Sequence, residues 1–339
     1  MKILFRTVGG KGKHKEVGLG HIFRCINLAH FLKSNDLYFL LEDYGGAADV
    51  LRSRNLTNIF KVIPRISLQN DINETRHLVE KKGIDIVIAD KYNLNKNYVR
   101  QIRKLVKTVV ISDLKEVDFD AHLIVNGFVG YKNKIIKNRF GSRCLLGPSY
   151  QILSDKYAMR RNNRIPKYSL LSTFGGFDDQ NIMDLLVNPL RKYLSRIKVK
   201  LILGPATLKT KKINELELKY PKNLKVIQET RNMAKEISSS IFGLCSGGIT
   251  TYEFAALGIP FAIICQYRHQ LMTAKEWEKR GIAINLGMPN PNTEERIEKI
   301  VKSLVEGNIP KIITNKMTMD GLGSKRVARE IIGLACRMS

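Results

Sequence analysis

The chain has 339 residues, 44% of them hydrophobic and 26% charged, and its 57 Lys and Arg against 31 Asp and Glu give a formal charge of +26. No run of eighteen apolar residues and no charged-then-apolar leader is visible, which excludes a membrane-spanning reading and leaves a cytoplasmic protein as the expectation. The positive charge draws in polyanions at long range, but there is no RNA-recognition strand, helix-turn-helix spacing or zinc finger, so nucleic acid is not expected as a partner.

Length favours two domains. In the first half, short β-branched runs at 3–5, 37–41, 84–89, 109–111 and 123–126 alternate with amphipathic patterns at 21–33, 72–82 and 96–106. The alternation predicts a parallel sheet with helices on both faces. Around 155–167 the chain turns polar and basic, carries Pro166 and loses periodicity, as an interdomain linker does. A second series follows at 170–174, 199–203, 224–227, 241–244 and 261–264. The expected fold is therefore α/β: two Rossmann-like domains, residues 1–155 and 156–339, with parallel sheets facing across a cleft and the last helix packing back on the first domain.

The run Gly18-Leu19-Gly20-His21-Ile22-Phe23-Arg24-Cys25 puts a histidine and an arginine where a glycine loop becomes a helix, whose buried face is marked by Ile22, Cys25, Ile26, Ala29 and Leu32. A helix N-terminus offers free N–H groups to an anion, and an imidazole beside it can take a proton from water. Packing or capping by His21 is the plain alternative. In open parallel sheets ligands bind beyond the carboxyl ends of the strands. There the second domain carries Gly175-Gly176-Phe177-Asp178-Asp179 and Ser246-Gly247-Gly248-Ile249-Thr250-Thr251-Tyr252-Glu253. The glycines and hydroxyls suit a diphosphate, and Glu253 can accept from ribose hydroxyls. Asp178 and Asp179, just before a helix, read first as caps.

Five scattered cysteines with no C-x-x-C pair read as reduced, mostly buried thiols. The basic run 131–140 reads first as a solvated helix, and second as a surface able to rest weakly on an anionic membrane.

Gly18-x-Gly20-His21-x-x-Arg24, Gly147-Pro148-x-Tyr150, Gly175-Gly176-x-Asp178 and Ser246-Gly247-Gly248-x-Thr250-Thr251-x-Glu253-x-x-Ala256-Leu257-Gly258-x-Pro260 resemble, in that order, one family of nucleotide-sugar hydrolases. These are the UDP-2,4-diacetamido-2,4,6-trideoxy-β-L-altropyranose hydrolases of pseudaminic acid biosynthesis, relatives of the glycosyltransferase B fold. The likeness continues through Gln270, Asn285-Leu286-Gly287 and Asp320-Gly321-x-Gly323-Ser324-x-Arg326-Val327-Ala328. It implies inverting, metal-independent hydrolysis of a UDP-sugar, with no cofactor and with His21 acting on water; a monomer is expected. Gly20, Arg24, Tyr92, Asn126, His269 and Gln270 would face the sugar. Gly175, Gly176, Ser246, Gly247, Gly248, Thr250 and Glu253 would hold the nucleotide. The chain departs from the family at Asp113-Leu114, where a paired aspartate is usual, at His269, where asparagine is common, and in an insertion at 9–14 that reads as a lid or a hairpin tip. A glycosyltransferase using the same base is the alternative, and a noncatalytic polyanion binder is a third reading.

Overall fold

The computed structural model describes residues 1–10, 18–158, 166–178, 180–205, 207–309 and 319–336. The chain divides into two compact units: Met1–Asp155 together with Gly321–Ser339, and Lys156–Asp320. The stretch from 321 on thus falls in the first unit, which shortens the expected second domain.

The first unit holds eight strands: β1 (Lys2–Gly9), β2 (Asp36–Asp43), β3 (Ile59–Val62), β4 (Ile86–Asp90), β5 (Lys107–Ile111), β6 (Leu123–Asn126), β7 (Lys134–Lys137) and β8 (Arg143–Leu146). Their order is β3-β2-β1-β4-β5-β6-β8-β7, and every pairing is parallel except β7 with β8. Alternate residues of the apolar strands feed two core layers, as a sheet covered on both faces requires. Ile3, Phe5, Ile86, Ile88 and Val109 pack with Ile22, Cys25 and Leu28 of the helix Gly20–Phe31 and with Val327 and Ile331 of the helix Gly323–Cys336. Leu4, Val87, Ala89 and Val110 pack on the other side with the helices Leu68–Lys82 and Lys96–Arg103.

The C-terminal helix is fastened by polar contacts as well: the Ser324 hydroxyl donates to Leu153 O at 2.5 Å, and Arg143 pairs with Glu330 at 3.1 Å. A Cβ at Gly323 would lie 2.1 Å from Gln151 O, so the backbones meet there without room for a side chain.

The second unit holds β9 (Tyr168–Thr173), β10 (Val199–Leu203), β11 (Leu224–Gln228), β12 (Ser240–Cys245), β13 (Phe261–Ile264) and β14 (Ala283–Gly287), all parallel, in the order β11-β10-β9-β12-β13-β14. That is the doubly wound order, with its switch point between β9 and β12. The corresponding point in the first sheet lies between β1 and β4.

Three expectations change. The basic run 131–140 is not a helix: it contains the exposed edge strand β7, whose lysines Lys134 and Lys137 guard an open edge against further pairing. Strands β3, β8 and β14 add to the set read from periodicity. Of the insertion at 9–14, Gly9 and Gly10 are buried at the end of β1, while residues 11–14 lie outside the described residues.

Candidate functional site

At the switch point of the first unit, β1 leads to the helix Gly20–Phe31 and β4 ends on Asp90. Leu19 precedes that helix and supplies no side-chain cap, and among the described residues the first-turn N–H groups lie beside the exposed Gly20. His21, in the first turn, keeps 18% of its side chain exposed, and its Nδ1 lies 2.7 Å from Asp90 Oδ1. Asp90 is fully buried. Burial works against its charge, but Arg24 first and His21 second outweigh that and hold its pKa at about 2, against an ordinary 3.8.

The ionised carboxylate can only accept, so the His21 Nδ1 carries the hydrogen and donates it, leaving Nε2 with its lone pair. Arg24, one helical turn on, donates to Asp90 through Nε at 2.8 Å and Nη2 at 2.5 Å, and to Asp113 through Nη1 at 2.5 Å. Its Nη2 stands 3.1 Å from the His21 ring nitrogen. Tyr92, two residues beyond Asp90, is 49% exposed at the same strand end.

Asn126 does not join this group as a substrate-facing residue. It is fully buried; its Nδ2 donates to Ser112 Oγ at 3.1 Å and Leu114 O at 3.0 Å, and its Oδ1 accepts from Phe128 N at 3.0 Å. Its role is to fix the loop that carries Asp113 opposite Arg24.

Beside the site lies a cluster that motif reading missed. Arg6, with no exposed surface, donates through Nε to Asp71 at 2.6 Å and through Nη2 to Glu42 at 3.0 Å, and Lys91 Nζ bonds Glu42 at 2.9 Å and Asp71 at 3.1 Å. Burial disfavours the Glu42 charge, yet Lys91 and the Arg65 N–H, with Arg6, bring its pKa to about 2. Two cations and two carboxylates cancel, so the cluster orders the ends of β1, β2 and β4 without adding net charge.

In the second unit the glycine loops converge at the β9/β12 switch point. Gly175 has φ of 80°, and a Cβ there would come within 3.9 Å of Ser246 Oγ. Gln270 Oε1 accepts from Gly247 N at 3.3 Å and Gln266 N at 2.8 Å, and Gln266 Nε2 donates to Phe174 O at 2.6 Å. Gln270 and Gln266 together therefore tie the ends of β9, β12 and β13, with the Gln270 amide oxygen already engaged. His269, just before it, is exposed and stacks on Tyr267 at 5.7 Å between ring centroids. Asp178 caps the following 3-10 turn through Ile182 N at 2.9 Å and Met183 N at 2.8 Å, the capping role read from sequence; Asp179 lies outside the described residues.

Thr251 is consumed in the core by Gly248 O and Trp277, whereas Thr250 bonds Glu253. Glu253, on the seven-residue helix Thr250–Ala256, accepts from the Tyr157 hydroxyl at 2.7 Å, and burial pushes its pKa up to about 7.

No protein-family model matches the sequence. Solved structures match it end to end: Acinetobacter baumannii MurG covers 100% of both chains at a TM-score of 0.64 and 14% identity. S. aureus MnaA with UDP covers 98% of both at 0.61 and 13%. A UDP-glucosyltransferase of Polygonum tinctorium covers 99% of both at 0.62 and 12%. The fold is that of the glycosyltransferase B enzymes.

By sequence, the chain is 24% identical over 283 residues to the spore coat polysaccharide biosynthesis protein SpsG of Bacillus subtilis, covering 80% of this chain and 81% of SpsG. It is 26% identical over 279 residues to an uncharacterised protein, MJ1062, of Methanocaldococcus jannaschii; the match covers 78% of this chain and about half, 56%, of that relative.

The pairing of Asp90 and Asp113 with His21 and Arg24, and the Arg6 cluster, escaped the motif reading because the partners are distant in sequence. The signal available was a charged residue inside or closing an otherwise apolar strand: Arg6 within β1 and Asp90 at the end of β4.

Proposed function

We propose that this protein hydrolyses a nucleotide-activated sugar, releasing free sugar and UDP. The observation that carries the reading is the Asp90-held His21, part-exposed at a strand end, whose Nε2 can take a proton from water. Water so activated attacks the anomeric carbon from the face opposite the diphosphate, which inverts the configuration; His21 holds the proton as the C–O bond to UDP breaks. The loops at Gly175–Gly176 and Ser246–Gly248 supply N–H and O–H donors for the departing diphosphate, and Glu253 an acceptor for ribose hydroxyls.

The UDP in the similar MnaA structure and the polysaccharide role in the name SpsG support a UDP-sugar and a glycan pathway. The resemblance of the glycine, histidine and glutamate motifs supports a diacetamido-trideoxy sugar as the substrate.

Transfer of the sugar to an acceptor hydroxyl is the second reading, favoured by the similarity to MurG and to the plant glucosyltransferase. Incubation with a panel of UDP-diacetamido sugars in buffer alone separates the two: UDP release without acceptor supports hydrolysis, and release only with a glycan or lipid acceptor supports transfer. His21→Ala is expected to abolish turnover while UDP affinity persists. Turnover at the wild-type rate in that variant would overturn both readings.

A further inference from the structure

The second unit contains one pairing that the proposed chemistry does not use. Tyr157 belongs to a single 3-10 turn, Asp155–Ala158, at the start of that unit, and is only 4% exposed. Its hydroxyl reaches 96 residues along the chain to donate to Glu253 Oε1 at 2.7 Å. Among the described residues no lysine, arginine or histidine pairs with this carboxyl, and its hydrogen-bonding neighbours are the hydroxyls of Tyr157 and Thr250.

We propose that Tyr157 is a positioning residue that fixes Glu253 for the ribose hydroxyls of a bound nucleotide and so couples nucleotide binding to the protonation of that carboxyl. The inference rests on the nucleotide-binding reading of this loop given above.

A carboxyl surrounded by hydroxyls and apolar atoms is costly to ionise, which is why burial carries it up to about 7. Tyr157 pulls the other way, since a hydrogen bond given to the carboxylate favours the ionised form. With Oε1 held by Tyr157, Oε2 keeps lone pairs for a vicinal diol. The diol binds the carboxylate as acceptor, so binding expels the proton from the fraction still protonated. Affinity therefore rises with pH and levels off above about 7.

The other titratable groups facing Glu253 stay neutral in this window. Burial raises Tyr157 and Cys245 well above their ordinary values, and it raises Cys265 beyond Cys245 to about 11. His269, exposed at the neighbouring strand end, serves as the control.

The test is calorimetry of UDP binding to the full chain from pH 5.5 to 8.5 in buffers of different ionisation enthalpy. Wild type is expected to release a fraction of a proton at pH 7 and to bind about tenfold more weakly at pH 6 than at pH 8. Tyr157→Phe, with its fold checked by circular dichroism and melting, is expected to move the transition up by about one pH unit and to regain affinity at high pH. A purely structural loss would weaken binding at every pH alike. The pH dependence should persist in His269→Gln, whereas in Glu253→Gln, and with 2′,3′-dideoxy-UDP in place of UDP, it should shrink to the part set by the probe's own terminal phosphate, which titrates at about pH 6.

Binding of UDP that does not vary with pH, or that keeps the same profile in Tyr157→Phe, or whose transition disappears with His269→Gln, overturns the inference and leaves the proposed function standing. Failure of UDP to bind at any pH overturns both.

Discussion

In the proposed chemistry His21 depends on a residue 69 positions away. The ionised Asp90 accepts a hydrogen bond from Nδ1 and so decides which ring nitrogen keeps its lone pair. Asp90→Asn keeps the shape but lets the amide present N–H or O to the ring, which releases the tautomer; turnover is expected to fall roughly 10²- to 10⁴-fold with little change in UDP affinity, measured by UDP release and by calorimetry. An unchanged rate would mean that His21 is oriented by something else. Arg6 shows the opposite use of charge. Removing it in Arg6→Ala strands Glu42 and Asp71 in the interior with Lys91 as their sole remaining partner among the four, and is expected to cost about 3–5 kcal/mol in denaturant unfolding.

The elements matter here through their ends. Strands β9, β12 and β13 stop at loops that Gln266 and Gln270 cross-tie, and the close approach leaves Gly247 no room: a Cβ would stand 2.7 Å from Gln270 Cβ. Gly247→Ala is expected to cost about 1–3 kcal/mol of stability and to weaken UDP binding, the second effect visible by calorimetry even at temperatures where the variant is fully folded. Wild-type affinity in that variant would remove this loop from the nucleotide site. Interior strands were legible in the sequence because both their faces are buried and their apolar runs are continuous, as in β4. Strand β7 was not, since an exposed edge strand rich in lysine has the same composition as a solvated helix face; β3 and β14 are short edge strands, where pattern is weakest, and β8, between β6 and β7, is only four residues long.

Across the whole molecule, buried carboxyls pull stability in opposite directions with pH. Asp90 and Glu42, both held at about 2, stabilise the fold above about pH 4, and that contribution, about 2–3 kcal/mol each, is lost as pH falls through 2. Glu253, raised to about 7, behaves inversely: its contribution is complete below about pH 4.5 and is lost as pH rises through 7, up to about 3 kcal/mol. The combined contribution of these three carboxyls is therefore expected to peak at about pH 4 to 4.5 in the unliganded protein and to fall progressively from there to pH 7. Denaturant midpoints from pH 2 to 8 check this: Glu253→Gln should flatten the upper limb and Asp90→Asn the acid limb. Stability that climbs steadily to pH 8 would contradict the burial of Glu253.

The sequence by itself determined two parallel α/β sheets, the division near residue 155, and the glycine loops with His21 and Glu253 at strand ends, because these are local matters of periodicity, glycine conformation and where strands stop. Only the tertiary structure decided what each polar group does. It gave Asp90 to His21, turned Asn126 inward to hold a loop and set Tyr157 against Glu253. Charges and hydrogen bonds act over a few ångströms in space, and separation along the chain, 69 residues in one case and 96 in another, carries no trace of that proximity.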